Sequence, residues 1–206
     1  MLLGQSRGII LRLIASIHIS ALVLALSSTS PINAANITIQ PSDAYGRVFV
    51  DLAGEIVAGD DKVFEQKVAN IHPALPYLVI VALSSPGGDF VPAVNIGEFI
   101  HSHGWGTYVP SGTLCTSSCA VIWLAGGDRR SIEGAPGVSI GFHAVYDVGS
   151  KKESGAGNAL LGSHLARWGL DDTAITCVTV TPPDQIGWLN GVEGPLCHIT
   201  WEVLAP

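Results

Sequence analysis

Charge is scarce in this chain. Only 13% of its 206 residues are Asp, Glu, Lys or Arg, and ten basic residues stand against seventeen acidic ones, for a formal net charge of −7. Apart from the pairs Arg129-Arg130 and Lys151-Lys152 it has no Lys/Arg cluster, which speaks against nucleic acid and anionic membrane as partners. Long apolar runs are also missing. The longest, Leu13 to Leu26, is interrupted by Ser16, His18 and Ser20, and its 14 residues fall short of the roughly 20 that a spanning helix needs. Metal-ligand patterns are absent: no C-x-x-C pair occurs, and His101 and His103 are two apart on a helix end and share no face. Trp105, Trp123, Trp168, Trp188 and Trp201 are scattered, which excludes a periodic sugar platform, and Trp123 reads as core. No metal and no cofactor is expected.

What is present is enough chain for one full core but not for two. The first segment stands apart: Arg7 and Arg12, then the apolar run, then small and turn-forming residues from Ser27 to Ala35. That order is the pattern of a secretory signal peptide, here 1–34, with cleavage after Ala34 or Ala35. The expected product is a single domain, 35–206, with no stable membrane span and a periplasmic or secreted location. Losing two arginines and no acid takes the charge from −7 to −9. All four cysteines, Cys115, Cys119, Cys177 and Cys197, lie in this domain, and export permits disulfides. Of the three pairings, Cys115 with Cys119 and Cys177 with Cys197 has the least chain to organise.

Strand-like and helix-like segments alternate along the domain, which favours an α/β layer architecture. Strands are expected at 47–52, at 77–83 (YLVIVAL, apolar throughout and so buried on both faces), at 106–110 and from Val138 to Phe142. Helices are expected over 60–71 and 91–103. Asp60-Asp61 reads as an acidic N-terminal cap, Asp128-Arg129-Arg130 as a turn, and Lys151 and Lys152 as solvated loop charges.

Three features point to chemistry. The segment CTSSCAVIWLAG, from Cys115, passes from small polar residues into an apolar helix, so Ser117 and Ser118 stand at a helix start, where N–H groups are unpaired. Serine there is also a favoured N-cap. Upstream, Pro86-Gly87-Gly88 comes directly after the buried strand and lets backbone approach a ligand closely. Downstream, a short strand ends at His143.

The order SPGG, then a serine opening an apolar helix, then a histidine at a strand end resembles the ClpP peptidase branch of the ClpP/crotonase superfamily, and more closely the exported ClpP-like proteins of bacteria. Ser118 precedes His143 by 25 residues, which matches the family interval and selects Ser118 over Ser117. The resemblance runs from about Val48 to Leu189 and implies a repeated ββα spiral. It implies Ser118 as nucleophile, His143 as its base, and the N–H groups of Gly88 (or Gly87) and Cys119 as an oxyanion hole. A Cys115–Cys119 disulfide would brace the nucleophile turn. The third residue departs from the pattern: aligning TPPDQIGWL, Thr181 to Leu189, places Cys177 near the family's aspartate. Asp172 is the candidate orienting acid, with Asp171 and Asp184 as alternatives. The implied activity is that of an exported serine peptidase acting on peptides or exported proteins, in a homo-oligomer of unspecified size; the alternative is a binding or scaffold relative without turnover. Acyl-CoA chemistry of the crotonase kind is disfavoured outside the cytoplasm.

Overall fold

The structure is a computed structural model that describes residues 34–132, 140–189 and 193–204. The expected leader, as far as residue 33, and the start of the strand expected at Val138 lie outside the described residues. Ile32–Pro206 forms a compact unit of its own.

A six-stranded sheet runs in the order β1 (Asn36–Ile39), β2 (Val48–Ala53), β3 (Val79–Ser84), β4 (Gly106–Val109), β6 (Arg129–Ile132), β9 (Glu202–Leu204), and only β1 is antiparallel to its neighbour. A smaller sheet joins β5 (Cys115–Thr116), β7 (Ile140–Phe142) and β8 (Gly187–Leu189). Helices α1 (Asp60–Val68), α2 (Phe90–Ser102), α3 (Ser118–Leu124), α4 (Gly155–Arg167), α5 (Asp172–Thr179) and the short α6 (Glu193–Leu196) complete the described elements.

The order of these pieces is a spiral. Each turn sends one strand through the large sheet, makes a short strand or bridge in a second layer, and then enters a helix: β2, Ile56, α1; β3, Ser85 to Gly88, α2; β4, β5, α3; β6, β7, α4. The second layer is stitched by parallel pairings of Ile56 with Gly88, Ser85 with Cys115, and Cys115 with Ile140. This is the ββα repeat that the α/β expectation called for.

Burial agrees with the sequence pattern. In β3, Val79, Val81 and Leu83 are fully buried and Ile80 and Ala82 nearly so, as a strand covered on both faces requires. Each such aliphatic side chain contributes roughly 1.5–3 kcal/mol on burial. Every residue of α3 is buried, so it is a core helix, and Trp123 within it is completely covered.

Some boundaries differ from expectation for local reasons. Pro76 opens a 3-10 turn, Pro76–Leu78, that leaves Tyr77 exposed and delays β3 to Val79. The first helix stops at Val68 rather than Ile71, because Pro73 disfavours helical backbone just before it. Asp60 and Asp61 do not cap α1: the N-cap position is Gly59 and both aspartates are buried, Asp61 accepting from Asn95 Nδ2 at 2.8 Å. Arg129 and Arg130 are strand residues rather than a turn. The Arg129 guanidinium closes the end of α3 by donating to the Leu124 and Gly126 carbonyls at 3.0 and 3.1 Å. Burial lowers its pKa, and Asp128 opposes that shift.

Candidate active site

The spiral brings one segment from each of three successive turns to the same place. Gly87 and Gly88 precede α2, Ser118 opens α3 and His143 comes just after β7, and all four line one cleft of about 550 Å³. Its apolar wall includes Phe90, Val121, Val145, Leu161 and Ile186. Glu55, Asp89 and Lys151 supply its charges.

The glycines are there because nothing else fits. Gly87 and Gly88 have φ of +101° and +138°, and a Cβ on Gly87 would lie 2.7 Å from both Ser117 Cβ and the Thr116 carbonyl oxygen. A Cβ on Gly88 would collide with the Ile56 backbone. Ile56 donates its N–H to Gly87 O at 2.8 Å and accepts from Asp89 N at 2.7 Å. In a parallel bridge of that register the intervening residue, Gly88, directs its own N–H and C=O away from Ile56. The carbonyl faces Ser118, whose Oγ donates to Gly88 O at 2.8 Å.

Ser117 occupies the N-cap position of α3 but makes no side-chain cap bond, so the capping reading fails for it. Its backbone, φ 55° and ψ −126°, is a strained one for a residue with a Cβ. That turn is held by Ser117 N–H donating to Gly141 O at 2.9 Å and by a disulfide between Cys115 and Cys119, both completely buried. Ser118 therefore sits inside a covalent ring, 5% exposed. Cys119, one residue into α3, has its N–H among the first-turn donors that no helical carbonyl can reach. With seven residues in α3, this local donor matters more than any helix dipole.

His143 Nδ1 lies 2.8 Å from the Ala144 carbonyl oxygen. A carbonyl only accepts, so Nδ1 carries a proton, and in the neutral ring Nε2 then holds the lone pair. The Ala144 N–H donates in turn to Thr181 O at 2.7 Å, which fixes this stretch to the α5–β8 connection. The Tyr146 ring lies 5.5 Å from the imidazole, centre to centre.

The aspartates considered for the third role lie elsewhere. Asp171 caps α5, accepting from Ala174 N at 2.9 Å, and pairs with His198 Nδ1 at 2.6 Å. Those two bonds hold its pKa below the usual carboxylate range against a smaller desolvation penalty. Asp172 is exposed in the first turn of α5 and Asp184 is exposed on the turn after it; neither lines the cleft. Lys151, which the sequence gives as a solvated loop charge, does line it, its ammonium 5.5 Å from the centre of the Tyr146 ring. The bridge between Tyr146 and Glu153 and the backbone bonds between Asp147 and Lys151 and Lys152 fold the loop back and bring it there, and composition carries no signal of that. The second disulfide, Cys177–Cys197, ties α5 to the segment after α6. Among the described residues no group of three or more His, Cys, Asp or Glu is placed to hold a metal ion, and no helix is long and apolar enough to cross a membrane.

Compared with solved structures, the chain is similar to the crystal structure of the ClpP protease catalytic domain from Plasmodium falciparum, with a TM-score of 0.51 and 20% identity over 75% of this chain and 83% of that one. The fold is ClpP-like. At that identity the likeness is one of architecture alone, and a ClpP-like fold does not by itself fix chemistry. No family model matches the chain, and no curated protein matches it.

Proposed function

We propose that the chain is an exported, ClpP-like serine hydrolase, a peptidase acting on peptides or exposed segments of exported proteins, with residues 1–34 removed as its leader. One observation carries the reading: Ser118, His143 and Gly88 line a single cleft, with Cys119 next to the serine at the start of α3. Two disulfides accord with an oxidising compartment.

In this reading the Ser118 hydroxyl leaves the Gly88 carbonyl, turns to His143 Nε2 and gives up its proton as Oγ attacks the substrate carbonyl carbon. Giving up one neutral hydrogen bond costs about 1 kcal/mol net. The oxyanion is received by the Gly88 and Cys119 N–H groups, each such donor being worth roughly 10²–10³ in rate. His143 then protonates the leaving amine, and water, deprotonated by the same imidazole, hydrolyses the acyl-serine. The Ala144 carbonyl fixes the imidazole tautomer but supplies no full negative charge to the imidazolium. Removing the carboxylate from a Ser-His-Asp site costs about 10⁴ in rate, so turnover is expected to be slow.

A second reading, a binding or scaffold protein without turnover, is supported by the same two bonds: Ser118 hydrogen-bonds to Gly88 and not to His143, and no carboxylate touches the imidazole among the described residues. The experiment that separates the two is covalent labelling of the oxidised protein with a fluorophosphonate, with the adduct located by peptide mass spectrometry. Hydrolase chemistry requires labelling at Ser118 that is lost in Ser118→Ala and reduced at least roughly 100-fold in His143→Ala. Absence of labelling in folded protein establishes the binding reading.

A further inference from the structure

Asp60 is a buried carboxyl group with no cationic partner among the described residues. It is 2% exposed, and its Oδ2 accepts two neutral backbone N–H groups, from Val57 at 2.8 Å and from Ala35 at 3.1 Å. Among the described residues no Lys, Arg or His pairs with it. Its place in the first turn of α1 gives it partial positive charge only. Buried carboxylates are ordinarily matched by a cation, because desolvation of an unmatched one is costly.

One of its two partners is the nitrogen of Ala35, one of the two residues, Ala34 and Ala35, after which the sequence pattern allows cleavage. Ala35 is buried, at 7% exposure, against Gly54, while Ala34 is exposed. We infer that the chain is cut between Ala34 and Ala35 and that the new α-ammonium of Ala35 is the counter-ion of Asp60. In the cut, water adds to the Ala34 carbonyl carbon, the C–N bond breaks, Ala34 leaves as a carboxylate and the Ala35 nitrogen becomes an amine. That amine is protonated at neutral pH, where an α-amino group ordinarily titrates near about 8. A leader peptidase of the export machinery supplies the catalysis and acts before folding, so the burial of Ala35 is no obstacle. The bond is defined by geometry: cutting after Ala35 instead would remove the very nitrogen that reaches Asp60.

The pair has a route to the cleft. The Oδ2 that holds Ala35 also holds the Val57 N–H, and the neighbouring residue, Ile56, makes both backbone bonds that orient Gly88. Removal of the leader thus turns an amide-to-carboxylate hydrogen bond into an ion pair beside the bridge to Gly88. An effect on Ser118 labelling rests on the function proposed above; the ion pair does not.

The test begins with the whole chain exported from a bacterial host and its N-terminal residue read by mass spectrometry, where Ala35 is expected. The processed protein is then compared with the same chain acetylated on the Ala35 nitrogen, each with and without Asp60→Asn. The free amine should raise the unfolding midpoint by roughly 5 °C or more over the acetylated form, and Asp60→Asn should abolish that difference. Where Ser118 labels, the free amine should also speed labelling about tenfold. A different N-terminal residue, equal midpoints for amine and acetyl forms, or a difference that survives Asp60→Asn overturns the inference. If Asp60→Asn fails to fold, amine against acetyl on the unsubstituted chain decides it alone. Because the midpoints do not depend on Ser118 chemistry, failure of labelling leaves this result standing.

Discussion

The Ser118 hydroxyl donates to the Gly88 carbonyl at 2.8 Å, so the proposed nucleophile rests on the residue whose N–H is proposed to receive the oxyanion. The two proposed roles are thus joined by a hydrogen bond before any substrate arrives.

Gly88→Ala should therefore be severe twice over. A Cβ at φ +138° is strained, and it meets the Ile56 backbone. We expect a loss of roughly 2–5 kcal/mol in urea unfolding and of Ser118 labelling. Gly112→Ala, at φ +71° with open space around it, should cost less and leave labelling intact.

The two disulfides should separate stability from reactivity. By loop-closure entropy the short Cys115–Cys119 ring contributes about 2 kcal/mol and the longer Cys177–Cys197 loop about 3 kcal/mol. Replacing the first pair by serine should cost less stability yet lower the rate of Ser118 labelling by at least tenfold, since the ring encloses the nucleophile. Replacing the second pair should lower the unfolding midpoint more and the labelling rate less.

Ser117→Gly should stabilise the protein. Relief of a strained backbone gains about 1–3 kcal/mol, and the extra freedom of glycine when unfolded returns roughly 0.5–1 kcal/mol of it. A net gain of about 1 kcal/mol in urea unfolding with unchanged labelling is expected, because the Ser117 hydroxyl makes no cap bond.

Glu98 should make stability fall in acid. Its carboxylate is partly desolvated, which raises its pKa, but bonds from His164 Nδ1 at 3.0 Å, Trp168 Nε1 at 3.2 Å and Arg167 outweigh this and bring the pKa below 4.5. A lowered folded-state pKa means the contribution is complete above about 4.5 and is lost as pH falls through the lowered value. At 45% side-chain exposure it amounts to less than about 1 kcal/mol. Glu98→Gln should lower the unfolding midpoint at pH 7 by a few degrees and leave it unchanged near about pH 2.

The layered α/β architecture was legible because its signals are local: a continuous apolar run for β3, apolar periodicity for α2, small residues giving way to apolar ones at α3. Gly88, Ser118 and His143, which the resemblance singles out, line one cleft. The two cysteine pairings reflect proximity along the chain. The features that escaped depend on backbone geometry rather than on residue type. Asp60 reads as a helix cap until β1 is laid beside α1 and brings the Ala35 nitrogen to it. Lys151 is exposed, as read, and what escaped is that its loop folds back beside Tyr146 and places it on the cleft. The Ala144 carbonyl as partner of His143 has no side chain to announce it.

The second-layer bridges set a further expectation. Gly88, Ser118 and His143 each stand at the same station of a turn, at the exit from the short pairing and at the entrance to the helix or loop beyond it. Material added at the far ends of the helices, in the returns to the large sheet near Ile71, His103 or Gly127, lengthens a turn without moving its station. The cleft is thus insulated from growth at the opposite rim, where new surface can accumulate while the spacing of the three reactive segments stays as it is.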